Sequence, residues 1–148
     1  MKNIIKYFIM ILLAGISSSC LKSNLSDLPA FSNAEITSFN FEYRWIVDGV
    51  VKIKSLSNSN VINSESATIA NTVTIPPADA DFTTAVRSQV SLSNLVGFCY
   101  LSTAARIEPI GGATKLGIPG DFSGSLKYTV TAADGTTKIW TITTAIAP

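Results

Sequence analysis

Between Ser38 and Val47 the chain alternates: Phe39, Phe41, Tyr43, Trp45 and Val47 fall on one side, and Ser38, Asn40, Glu42 and Arg44 on the other. Only a period of two places those large apolar side chains on one face, because helical spacing would scatter them around the axis. The segment is therefore a half-buried strand, and the rest of the fold must supply a broad apolar surface to cover it. Asp48-Gly49 follows at once, a pair that tolerates positive φ, and Val51 and Ile53 resume the alternation. The pattern predicts a hairpin over Ser38–Lys54.

The remaining signals are also short and β-like. Ser55–Ser66 is polar and reads as a loop. Ile69, Val73 and Ile75 mark a third strand, stopped by Pro76-Pro77, which lack the amide hydrogens a sheet requires. Asp79–Ala85 fits a single helical turn or a bent crossover. Val90 and Leu92, Phe98–Leu101 and Arg106–Ile110 read as short strands, with Gly111-Gly112 and Gly117–Gly120 as punctuation. Leu126, Tyr128 and Val130 alternate, Ala132–Thr136 turns the chain, and Lys138–Thr144 returns with Trp140 and Ile142 on one face, predicting a second hairpin. After the first twenty residues no stretch of ten keeps helical periodicity. About seven short strands at this spacing predict an all-β immunoglobulin-like β-sandwich, with a small closed barrel as the alternative.

The first twenty residues, MKNIIKYFIMILLAGISSSC, have a different character. Lys2 and Lys6 precede an apolar run from Tyr7 to Ile16, and three serines precede Cys20. This is the layout of a signal peptide, and the run is about half the roughly 20 residues that a membrane-spanning helix needs. Small residues ending at a cysteine resemble the lipobox of bacterial lipoproteins. That resemblance implies cleavage before Cys20 and a diacylglycerol on its sulfur; an ordinary secretory signal cut near Ser18 or Ser19 is the alternative. The expected organisation is a signal peptide over 1–19, a tether over 20–34 and one sandwich domain over 35–148. With Cys20 lipidated, Cys99 stands alone, without a disulfide partner, and its apolar neighbours mark it as a small buried hydrophobe.

Composition narrows the function classes. With 11 basic and 10 acidic residues, the chain has no charge excess that would favour nucleic acid. It has no histidine, so histidine-based catalysis and ligation are excluded. Asp79 and Asp81 are the only close carboxylate pair, read as a solvated loop rather than as a glycosidase or calcium site. The expectation is a protein that is not an enzyme and uses no cofactor and no metal.

The opening Glu35–Phe41, the Asp121-Phe122-Ser123 landmark and the close from Tyr128 to Ile142 resemble an uncharacterised family of Bacteroidetes-type lipoproteins with an immunoglobulin-like domain of unknown function. The resemblance covers the signal and most of Glu35–Thr144. It implies a protein held in the outer membrane by a lipid at Cys20, on its surface or periplasmic face, and acting as a non-catalytic binding or interaction module with a protein or polysaccharide partner. A glycan-binding accessory protein of a polysaccharide-uptake system and an adhesin-like subunit are the alternatives. The family assigns no functional residues. Among the aromatic candidates Tyr43, Trp45, Tyr100 and Trp140, the two tryptophans alternate with apolar neighbours and read as core, which leaves Tyr100 as the candidate ligand contact.

Overall fold

The computed structural model describes residues 30–148. The expected signal peptide, most of the tether and the lipidation site Cys20 lie outside the described residues. The order of elements is β1 (Ile36–Val47), β2 (Val50–Asn63), β3 (Thr68–Thr74), one short helix α1 (Thr84–Arg87), a 3-10 turn (Leu92–Asn94), β4 (Leu95–Leu101), β5 (Arg106–Ile110), β6 (Pro119–Gly120), β7 (Leu126–Thr131) and β8 (Thr137–Ile146). They form one eight-stranded mixed sheet in the order β5-β7-β8-β3-β2-β1-β4-β6. Every pairing is antiparallel except that of β3 with β8.

The expected β1–β2 hairpin is present, closed by Val47 opposite Val50 across Asp48 (φ 50°) and Gly49 (φ 78°). Two successive positive φ values match the right-handed twist of the flanking strands. The closing hairpin is β7–β8, with Tyr128 opposite Trp140.

The sheet curls because its aromatic residues must meet. Phe39 lies on β1 and Tyr128 on β7, four places apart in the sheet, yet their ring centroids are 6.1 Å apart. Phe122 meets Phe39 and Phe41 edge-on, at 6.4 and 5.2 Å. Phe39, Phe41, Tyr43, Phe122, Tyr128 and Trp140 are all buried. Burying a large side chain stabilises by about 1.5–3 kcal/mol, so this cluster is the main reason for the curl.

The turn from one half of the sheet to the other runs through β2. Val50–Leu56 pairs with β1, and Ser57–Asn63 pairs with β3. Where β2 leaves β1, Asn60 takes over the lost pairing: its Oδ1 accepts from the Phe39 amide at 2.9 Å and its Nδ2 donates to the Phe39 carbonyl at 2.9 Å. Asn58 Nδ2 donates to the same carbonyl at 2.7 Å, and Asn60 Nδ2 also reaches Asn71 Oδ1 at 2.8 Å. Side-chain amides thus satisfy backbone groups that would otherwise be stranded.

This corrects the loop expected over Ser55–Ser66, of which all but the last three residues belong to β2. The alternation is real, but its inward positions include Asn58 and Asn60, which read as polar loop residues. The expected strand at Val90 and Leu92 is also absent. Val90 is buried as a single residue, and Ser91–Asn94 forms a turn whose Ser91 amide donates to Asn94 Oδ1 at 3.2 Å. β4 begins at Leu95, three residues before the expected Phe98. Asp79–Ala85 resolves into a loop leading to the single turn of α1, capped by Thr83.

Gly97 on β4 lies where Phe122 crosses the sheet. A Cβ there would stand 2.7 Å from Phe122 Cζ and 3.2 Å from Phe39 Cε1. Both rings are fully buried, so neither can move aside cheaply. Gly97→Ala is expected to destabilise the fold by about 1–3 kcal/mol, seen as a lower denaturant midpoint with unchanged slope. An unaltered midpoint would mean that the Phe122 contact is loose.

Candidate functional site

Three of the four aromatic candidates are fixed by packing or stand without surroundings. Tyr43 is buried and Trp140 fully so, with the Trp140 indole Nε1–H donating to the Ala34 carbonyl at 3.0 Å. Tyr100 is 64% exposed on the outer face of β4, opposite Ser38, and lines none of the described clefts.

Trp45 is different. It is half-buried and packs on the core through Tyr43, stacked at 6.0 Å, and Phe82, at 5.6 Å. It also lines two clefts at the turn end of the β1–β2 hairpin. One, of about 270 Å³, is bounded by Arg44, Trp45, Ile46, Val51 and Pro119. The other, of about 490 Å³, lies between the hairpin, with Trp45, Val47, Asp48, Val50 and Lys52, and the facing loop, with Asp81 and Thr83. The Trp45 Nε1–H is buried and has no hydrogen-bond partner among the described residues. The sequence reading of Trp45 as core is thus half the description, since alternation assigns a face but not where along the strand its cover ends.

The facing loop is held by the paired aspartates. Asp79 accepts from Lys54 Nζ at 2.5 Å through Oδ2, and from the Phe82 and Asp81 amides at 2.7 and 3.0 Å through Oδ1. Asp81 pairs with Lys52 at 3.3 Å. Both carboxylates therefore tie the loop to β2, and Phe82, which follows Asp81, is buried in the core. Among the described residues no group of three or more metal-ligating side chains occurs. Cys99 is partly buried on β4, and burial pushes its thiol up to about 11, so it stays protonated and weakly nucleophilic at neutral pH.

The same hairpin end carries exposed apolar side chains. Ile46, Val51 and Ile53 lie together on the outer face, since Ile46 is opposite Val51 and Arg44 is opposite Ile53. Val47 and Val50 are exposed at the turn. Arg44 is drawn aside, with its guanidinium 2.5 Å from Glu42 and donating to the Gly117 carbonyl at 3.1 Å. Scattered exposed apolar residues are normal on a surface; here several stand together beside two clefts, which makes the hairpin end the candidate site.

The hydrogen bond from Lys54, followed by that from the Phe82 amide, holds the Asp79 carboxyl below its ordinary value of 3.8. A carboxyl lowered in the folded state stabilises fully above that ordinary value and progressively less as pH falls below it. Asp79→Asn is therefore expected to flatten the acid limb of a stability profile below about pH 4. A limb identical to that of the unaltered protein would show that the Lys54 contact does not hold the loop.

Residues 36–143 match the family described as DUF5018-related. A crystal structure of a candidate secreted protein from Bacteroides fragilis is similar to this chain, with 41% sequence identity and a TM-score of 0.74. The likeness covers 81% of this chain and 100% of that one. No curated protein matches.

Proposed function

The chain belongs to the DUF5018-related family, and on that footing we propose that it is an exported, lipid-anchored protein of the cell envelope that acts by binding rather than by catalysis. Export is supported by the signal-like segment before Cys20 and by the Bacteroides fragilis neighbour, itself described as a candidate secreted protein. The anchor is the lipid at Cys20 that the lipobox-like residues imply, in the outer membrane with either face possible. Two or more acyl chains hold a protein stably where one would not. We read the curled sheet as an immunoglobulin-like sandwich whose layers are joined through β2.

The observation that carries the binding reading is the hairpin end, where a half-buried tryptophan, two clefts and exposed branched side chains converge. Its position fits a tethered module. The Ala34 and Glu35 carbonyls are tied to Trp140 and Ser102 at the start of β1, so the tether departs from the end opposite the turn. At roughly 3.3 Å per residue, the 12-residue β1 carries the clefts some 30–40 Å from that point, away from the anchor. A polysaccharide is the second reading, favoured by Trp45 with Asp48, Lys52, Asp81 and Thr83 around one cleft; an adhesin-like subunit is the third. The partner is a protein or polysaccharide, not nucleic acid.

Two measurements test this. Cys20→Ala should move the protein from the membrane pellet to the soluble fraction and abolish acyl labelling; a variant that stays in the pellet would overturn the anchor. Titration with polysaccharides or peptides, followed by tryptophan fluorescence, should change the emission of the unaltered protein but not that of Trp45→Phe, since the remaining Trp140 is fully buried. A response equal in both proteins, or absent with every ligand, would remove the hairpin end as the binding surface.

A further inference from the structure

β1 pairs with β4 only as far as Glu42, which stands opposite Val96. Beyond it, Tyr43–Val47 keeps its pairing with β2 but has no strand on the other side among the described residues. Antiparallel ladders alternate, and Phe39 directs its N–H and C=O toward the β2 side, to Asn60. The same parity directs the N–H and C=O of Arg44 and Ile46 to the open side. No other backbone partner meets them among the described residues. The smaller cleft, with Trp45, Ile46, Val51 and Pro119, lies against this edge.

Sheet edges of this kind are ordinarily blunted by proline, a bulge or an inward or projecting charge. The stretch itself contains no proline, and its one charge, on Arg44, is bound to Glu42 and to the Gly117 carbonyl of the loop that flanks the cleft. Ile46, the central outward side chain, is 70% exposed.

We propose that the open edge at Tyr43–Val47 is a strand-addition site for an extended peptide of another protein, running antiparallel to β1, with apolar residues opposite Arg44 and Ile46 and a basic residue opposite Asp48. The proposal rests on the binding-module reading and gives that module its partner class. Charge selects the partner. The cations at this end are already paired, Arg44 with Glu42, Lys52 with Asp81 and Lys54 with Asp79, whereas Asp48 has no salt-bridge partner among the described residues. A second copy is disfavoured, because two-fold pairing centred on Trp45 would set Glu42 of one copy against Asp48 of the other. The chain's own tether is too short: ten residues from Cys20 span at most about 35 Å. Trp45 lies about 30 Å along β1 from the anchored end, leaving none to pair with while Cys20 is in the membrane.

The test uses the full chain in detergent and the peptide acetyl-Lys-Thr-Val-Thr-Val-Thr-amide, which in antiparallel register sets Lys against Asp48 and its two valines against Ile46 and Arg44. Backbone hydrogen exchange at Arg44 and Ile46 should slow at least tenfold on peptide addition. The same peptide N-methylated at both valines should give no protection. Ile46→Lys should abolish the effect, while Val61→Lys, an exposed apolar position on a strand paired elsewhere, should leave it intact. Absence of protection at millimolar peptide, or equal protection by the N-methylated peptide, overturns strand addition. If protection is absent while a polysaccharide still alters Trp45 emission, the binding reading stands without this partner; if both are silent, both fall.

Discussion

Phe39 and Phe41 leave water by meeting Phe122, in the loop after β6, and Phe39 also meets Tyr128 on β7, four places from β1 in the sheet. A flat sheet would leave all four exposed on one face. The curl is therefore the condition for a core, and the other notable features of the fold follow from it. Gly97 has no side chain because the Phe122 ring passes there, and β2 is 14 residues long because one strand must serve both halves of the sheet.

The curl creates a difficulty where β2 departs from β1, since backbone groups of Phe39 lose a strand partner inside the protein. Asn58 and Asn60 resolve it by supplying amides in place of a backbone. Polar side chains on an inward face are thus part of the architecture. An unmet buried hydrogen-bonding group costs about 1–3 kcal/mol, which outweighs the apolar burial an alanine could offer at either position.

At the other end of β1 the same geometry leaves pairing incomplete. β4 stops at Leu95, so the hairpin projects past the body of the sheet with one edge open, and the loop braced by Asp79 and Asp81 covers only its inner side. The candidate surface lies where the curl runs out of strands, at the end of β1 remote from Ile36. Fold and candidate site are two consequences of one constraint.

The residues alone determined much of this. The alternation of Phe39 through Val47, the Asp48-Gly49 turn, the Pro76-Pro77 stop and the Tyr128–Trp140 close each act over a few residues, where side-chain period and allowed φ decide the outcome. An all-β chain lacking histidine follows directly from the order of residues. The tertiary structure decided what depends on distant partners. Asn58 and Asn60 look like loop residues until the Phe39 backbone stands beside them, Val90 looks like a strand until no described strand pairs with it, and Trp45 looks like core alone until two clefts are placed along its edge. Alternation specifies which face a side chain takes, but only the packing of residues far apart in sequence fixes how far along a strand that face is covered.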